Sequence, residues 1–243
     1  ALQKYSVPQN KDWFAYKDNE VTSQEHVAKT LNDWRGLPFR SEDIFLTNGA
    51  FAAIAVALKT IIDAGDEVIF ISPPWFFYET LIVSAGGRPV RVKCDAETFD
   101  LDLSAIEEAI TEKTRAVLIN TPNNPTGRIY PSETLEALAS LLTVASERIG
   151  HPIYVLSDEA YSRIVFDDCV FLSPANFYQH TMLIYTYGKT LLTPGQRIGY
   201  IALAPQMPQK ELLRGALFAS QLMTGYAFPN ALLQHALPEL ESL

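Results

Sequence analysis

The chain has 243 residues, 48% hydrophobic and 19% charged, which suits one large folded domain and argues against disorder. Its formal net charge of −9 argues against a nucleic-acid-binding surface, which needs clustered Lys and Arg, but leaves room for a small anion in a local positive pocket. No apolar run approaches the roughly 20 residues that span a bilayer, and the opening "ALQKYSVPQNKDWF" lacks a signal-peptide plan.

Residues 1–40 read as an arm with one helix through "QEHVAKTLNDWRG". Short apolar runs and longer helical patterns then alternate. "DIFLT" (43–47) reads as a strand, "GAFAAIAVALKTIIDA" as a helix closed by Gly65, and "DEVIFIS" (66–72) as a second strand. "PWFFYETLIVSAGG" starts with Pro and ends with Gly, as helices do. "PVRVKCD" reads as a strand and "DLSAIEEAI" (102–110) as an amphipathic helix capped by Asp102. "RAVLIN" (115–120) leads into a loop, and a helix runs from Pro131 to about Gly150. Three further strands are expected at "PIYVLSD" (152–158), "TMLIYTYGK" (181–189) and "RIGYIALAP" (197–205). Continuous apolar strands separated by helices predict an α/β fold of three layers, α/β/α, around a mostly parallel sheet. Cys94 and Cys169 show neither CxxC spacing nor a His pattern. No metal site is expected, and both cysteines read as buried free thiols of a reducing, cytoplasmic compartment.

In such sheets ligands bind outside the carboxyl ends of the strands, and the unusual residues collect there. Thr47-Asn48-Gly49-Ala50-Phe51 opens a helix whose N–H groups suit a phosphate, although many strand–helix turns contain glycine. "PPWFFY" places Trp75 at the same rim, where core packing is the simpler reading of any single aromatic. In "NTPNNPTG" (120–127) turn chemistry accounts for Pro125 and Gly127 but does not require Asn120, Asn123 and Asn124 together. "SDEAY" (157–161) ends a buried strand in an acid pair, and such an acid often only caps the next helix. "TYGKTLLTPGQRIGY" (186–200) holds two charges, Lys189 and Arg197, among small and apolar residues. Lysines and arginines at strand ends often merely reach solvent.

In this order the segments TNGA, PPWFFY, NTPNNPTG, SDEAY and TYGKTLLTPGQRIGY resemble those of fold-type I pyridoxal-phosphate (PLP) enzymes, and more narrowly the class I/II, aspartate aminotransferase-like family. The resemblance runs from about Ser41 to the end of the chain. It implies that Lys189 forms a Schiff base with the cofactor aldehyde and shuttles a proton at Cα, and that Arg197 and Thr186 hold the phosphate with the backbone N–H groups of Ala50 and Phe51. A guanidinium suits a phosphate through paired hydrogen bonds. The resemblance also assigns Asp158 to the pyridine nitrogen, which a buried anion keeps protonated so that the ring accepts electrons. Tyr161 and Asn124 match residues that hydrogen-bond the ring's phenolic oxygen, and Trp75 matches the aromatic stacked on the ring. The implied catalytic set is thus Lys189, Asp158 and Tyr161.

The function so implied is an aminotransferase exchanging an amino group between an L-amino acid and a 2-oxo acid, as a cytoplasmic homodimer. Residues 41–243 would form the PLP-binding large domain. The small C-terminal domain of the family, with its substrate-carboxylate arginine, is expected to lie outside this chain, since no arginine follows Arg214. Glu159 reads as a structural neighbour, and His26, His151, His180 and His235 match no role. Two other readings belong with the same motifs: another fold-type I enzyme such as a C–S lyase or decarboxylase, because fold does not choose which Cα bond breaks, and a PLP-binding sensory domain of a transcription regulator. A dinucleotide-binding reading fails for want of a G-x-G-x-x-G turn.

Overall fold

A computed structural model of the protein describes residues 1–242. A short helix α1 (Leu2–Tyr5) and a longer α2 (Val21–Arg35) precede strand β1 (Ile44–Thr47). There follow α3 (Gly49–Ile61), β2 (Glu67–Ser72), α4 (Tyr78–Ala85), β3 (Arg88–Lys93), α5 (Leu103–Ala109) and β4 (Thr114–Asn120). The second half runs α6 (Ser132–Ile149), β5 (Tyr154–Asp158), β6 (Thr181–Thr186), a one-turn α7 (Tyr187–Thr190), β7 (Gly199–Leu203), α8 (Lys210–Met223) and α9 (Ala231–Glu241). The strands form one sheet in the order β1-β7-β6-β5-β4-β2-β3. Only β7 runs against the rest, pairing antiparallel with both β6 and β1.

Side chains alternate across a strand, and here the alternation divides the apolar strand residues between two cores. Val68, Phe70, Ala116, Leu118 and Leu156 face one way and pack with residues of α2, α3, α4, α8 and α9. Ile69, Ile71, Val117, Ile119 and Val155 face the other way and pack with α5 and α6. The result is the three-layer α/β/α arrangement, and the central strands read as unbroken apolar runs because both of their faces are covered.

Two boundaries and two additional helices differ from the sequence-based expectation. Helix α4 begins at Tyr78 rather than Pro74, because Trp75, Phe76 and Phe77 pack on one another and on Phe51 in a turn outside it. Strand β6 stops at Thr186, where the Thr186 side chain accepts a hydrogen bond from the Gly188 N–H and starts α7. The chain after β7 forms α8 and α9, two helices not among the expected elements, and α9 packs against α1 and α2. The cysteines need correction as well. Cys94 is half-buried just beyond the edge strand β3, and Cys169 is exposed in the loop after β5, so neither is a core thiol. Among the described residues no helix is long and apolar enough to cross a membrane.

One ion pair ties the N-terminal region to the sheet. Arg35, the last residue of α2, donates to Glu159 Oε2 at 2.7 Å with both side chains buried. Glu159 Oε1 accepts from Ser157 Oγ (3.0 Å) and Ser173 Oγ (2.5 Å), and the Arg35 guanidinium lies over the rings of Trp34 and Phe171. Removing one partner of a buried pair strands the other charge. Arg35→Met is therefore expected to cost about 3–5 kcal/mol of stability, measured by urea unfolding. A loss below about 1 kcal/mol, as for an exposed pair, would refute this.

Candidate functional site

The sheet register sets the site. Asn120 pairs with Asp158 across β4 and β5. Further along the sheet, Thr186 pairs with Gly199, which pairs in turn with Thr47. The carboxyl ends of β1, β4, β5 and β6 and the start of β7 therefore share one edge. A cleft opens there, lined by Ala50, Phe51, Trp75, Asn120, Asn124, Asp158, Ala160, Tyr161, Thr186, Gly188, Lys189, Pro194 and Arg197. All nine residues singled out from the sequence as cofactor contacts are in that lining.

At the β5 end the cleft is acidic and enclosed. Asp158 is only 5% exposed. Its Oδ2 accepts a 2.6 Å hydrogen bond from the Tyr78 hydroxyl, and its Oδ1 accepts one from the Ala160 N–H at 3.2 Å. Burial pushes its carboxyl above the usual range, against the opposing pull of Tyr78, the Ala160 N–H and the Lys189 charge. Asn120 donates to the Asp158 carbonyl (2.9 Å) and accepts from the Asn124 N–H (2.7 Å), so the two Asn residues are set by the same strand end. Asn124 Nδ2 in turn lies 3.5 Å from the Tyr161 hydroxyl.

At the β1–β7 end the cleft is built for an anion. Helix α3 opens at Gly49, and its first N–H groups lack intrahelical partners. A Cβ on Gly49 would lie 2.8 Å from Arg197 Nη2, so the guanidinium sits close against the helix start, and the φ of +80° at Gly49 favours glycine there. Arg197 Nη1 is held by the Pro194 carbonyl at 2.7 Å. A Cβ on Gly199 would overlap the Tyr185 carbonyl oxygen and stand 3.0 Å from Gly49 Cα, so β7 can press against the α3 start only through glycine. The acids pair elsewhere: Glu159 with Arg35, and Asp43 with Lys210 and Arg214. Among the described residues none pairs with Lys189 or Arg197.

Between these ends, on the segment after β6, stands Lys189, with its Nζ 5.3 Å from the centre of the Tyr161 ring. Trp75 walls the cleft, edge-on to Phe51 and Tyr78 at 5.8 and 5.5 Å between ring centres. The arrangement fits a flat ligand with an anionic group at one end, a basic ring atom at the other and a carbonyl facing an amine. A buried carboxylate with only neutral hydrogen-bond donors favours a partner that brings positive charge. A guanidinium at a helix N-terminus favours a phosphate.

Sequence reasoning missed Tyr78 as a partner of Asp158 and Gly199 as the spacer of the anion cup, and it did not list Asn120 as a site residue. Tyr78 closes the run "PPWFFY", where no local signal separates it from the other aromatics. Nothing in the apolar pattern marks Gly199. Glu159 points away from the cleft to Arg35. Three histidines are held by backbone carbonyls, His26 by Thr22, His151 by Pro152 and Glu112, and His235 by Trp13, while His180 is packed between Tyr154 and Tyr178.

Comparison with known proteins agrees with this geometry. Residues 3–239 match the family described as Aminotransferase class I and II, a match that begins well before Ser41. The chain is 32% identical over 209 residues to a probable aspartate aminotransferase of Methanocaldococcus jannaschii, covering 86% of this chain and 53% of that protein. It is 35% identical over 178 residues to an aspartate/prephenate aminotransferase of Thermus thermophilus, covering 73% of this chain and 45% of that one. An amino transferase structure from Eubacterium rectale superposes with a TM-score of 0.96 at 32% identity, covering 99% of this chain and 61% of that one. The chain belongs to the class I and II aminotransferase family, and it spans about half the length of the curated relatives it matches. That family implies PLP as cofactor.

The raised Asp158 carboxyl has a consequence for stability. A carboxyl whose folded-state pKa is raised binds its proton more tightly in the folded protein, so ionising it costs stability as pH rises above the ordinary value of 3.8. In cofactor-free protein Asp158→Asn is expected to raise the melting temperature at neutral pH, with the gain shrinking towards pH 4. PLP affinity should fall in the same variant. A cofactor-free variant less stable than wild type at pH 7 would refute the argument.

Proposed function

We propose that the protein is a PLP-dependent aminotransferase that exchanges an amino group between an L-amino acid and a 2-oxo acid. The observation that carries this reading is the placing of one amine, Lys189, in a cleft between a buried carboxylate and an anion cup. When bound, PLP supplies an aldehyde carbon that exchanges amines and a ring that takes up the electron pair left on the substrate Cα.

The chain's own residues then take distinct parts. Lys189 Nζ would hold the aldehyde carbon and, as a free amine, would move a proton at the substrate Cα. Arg197, the Thr186 hydroxyl and the N–H groups of Ala50 and Phe51 bind the phosphate. Asp158 holds a proton on the ring nitrogen, and its neutral donors Tyr78 and Ala160 orient it for that. Tyr161 and Asn124 hydrogen-bond the phenolic oxygen, and Trp75 packs against the ring face. The names of the relatives described above support transamination over other PLP chemistry.

Residues 41–243 serve in this reading as the cofactor-binding domain, and residues 1–40 as its arm and helix. A homodimer is supported by apolar residues left exposed beside the cleft, such as Phe76 at 72%, which a second copy would cover. Residence in the cytoplasm is supported by the two free cysteines.

The test is borohydride reduction of the PLP-loaded complete polypeptide, followed by peptide mass spectrometry. A pyridoxyl mass on the Lys189 peptide is expected. Lys189→Ala should lose it and drop turnover by at least about a thousandfold, while retaining phosphate-dependent affinity for the cofactor. An unmodified Lys189 peptide in loaded wild-type protein would overturn the assignment.

A further inference from the structure

Behind the Lys189 segment lies a buried polar cluster that none of the roles above uses. Arg163 follows Tyr161 by two residues, and Tyr187 precedes Lys189 by two. Both converge on one carboxylate from the far end of the chain. Arg163 Nη2 donates to the two oxygens of Glu241 at 3.2 and 2.9 Å, and the Tyr187 hydroxyl donates to Glu241 Oε1. The Glu241 side chain is 2% exposed and Tyr187 is fully enclosed. On the other side of Lys189, the hydroxyls of Thr190 and Tyr185 lie 2.5 Å apart. The Arg163 guanidinium is within 5.0 Å of the Tyr185 ring centre and 5.8 Å of that of Tyr187.

Two facts make this cluster more than packing. Helix α7 is a single turn, too short to hold its own conformation, and Tyr161 sits in a turn between β5 and the next loop. The aim of both side chains is therefore set by what grips their neighbours. Glu241 is also the last residue of α9, where the helix dipole disfavours a carboxylate. Its partners lie off the helix, and they account for its place.

We propose that Glu241 is a positioning residue: by clamping Arg163 and Tyr187 together it fixes the register between Tyr161 and Lys189. The inference rests on the functional reading that these two residues meet the cofactor. In the clamped state the Lys189 Nζ is 5.3 Å from the Tyr161 ring centre. Loosening the clamp would weaken the hydrogen bond that Tyr161 offers to the phenolic oxygen of bound PLP, and a less stabilised anion there would favour protonation of the nitrogen that Lys189 contributes. The titratable groups sharing the cleft with Lys189 are Asp158, Tyr161 and Arg197. Facing Glu241 are Arg163, Tyr185, Tyr187 and Tyr200.

The experiment is a pH titration of the visible absorption of PLP bound to the complete polypeptide, in wild type, Glu241→Gln and Tyr187→Phe. Glu241→Gln keeps volume and an acceptor but removes the charge, and Tyr187→Phe is the milder change should the first variant fold poorly. Both should move the midpoint upward, Glu241→Gln by about half a pH unit or more. Glu239→Gln, on the same helix but paired with Lys4 at the surface, should leave it in place. Wild-type midpoints in both clamp variants would overturn the proposal even if their melting temperatures fell, since that outcome describes packing alone. If wild-type protein takes up no cofactor at Lys189, the functional reading itself fails, and this shows before any variant is compared.

Discussion

Two consecutive acids at the end of β5 are both buried, and the protein compensates them differently. Glu159 has a cation from its own chain, Arg35, together with two serine hydroxyls. Asp158 has a tyrosine hydroxyl and a backbone N–H but no paired cation among the described residues. Burying a carboxylate is costly unless it is paired, so Glu159 is a completed structural element and Asp158 an incomplete one. The rest of the cleft is arranged around that difference. The Glu159 side holds the N-terminal helix against the sheet, and the Asp158 side faces an opening that a cationic ring atom would complete.

The opposite end of the cleft follows the same logic with the sign reversed. Arg197 stands against the start of α3 without a carboxylate, and three glycines bring the backbones close. Gly49 leaves room for the guanidinium, Gly199 lets β7 approach α3, and Gly188 lies against Pro194. Exposed arginines normally snorkel into water. Here the Pro194 carbonyl and the α3 start hold the side chain over the cleft instead. Positive charge at one end and negative charge at the other, two strands apart in the order β7-β6-β5, would set both the length and the polarity of a ligand held between them.

Much of this was legible in the sequence because backbone geometry and chemistry coincide at strand ends. The central strands are apolar throughout, so a lone acid, lysine or asparagine run at their carboxyl ends stands out, as Asp158, Lys189 and Asn124 did. Residues whose role depends on strand order were not legible. Gly199 matters because β7 runs antiparallel between β1 and β6, and no local pattern reveals that neighbour. Tyr78 reads as one more aromatic in PPWFFY, and only the fold, which packs α4 on α3, β2 and β3, brings its hydroxyl to Asp158. The helices α8 and α9 are a different case: "KELLRGALFASQLM" (210–223) carries its apolar residues at helical spacing, so α8 was legible and sequence reasoning passed over it.

The one-turn helix α7 makes these distant elements matter to chemistry. A lysine on a long helix would be aimed by the helix, but Lys189 is aimed by Thr186 at one end, by Tyr187 and Thr190 through their partners, and by Gly188 packed against Pro194. Each restraint comes from a different part of the chain: the strand, the last helix, and the turn that also carries Arg197. A reactive amine must be held yet remain free to move between covalent partners. A short segment pinned through its neighbours meets both demands, because the pins fix the backbone while, among the described residues, no carboxylate pairs with the Lys189 amine.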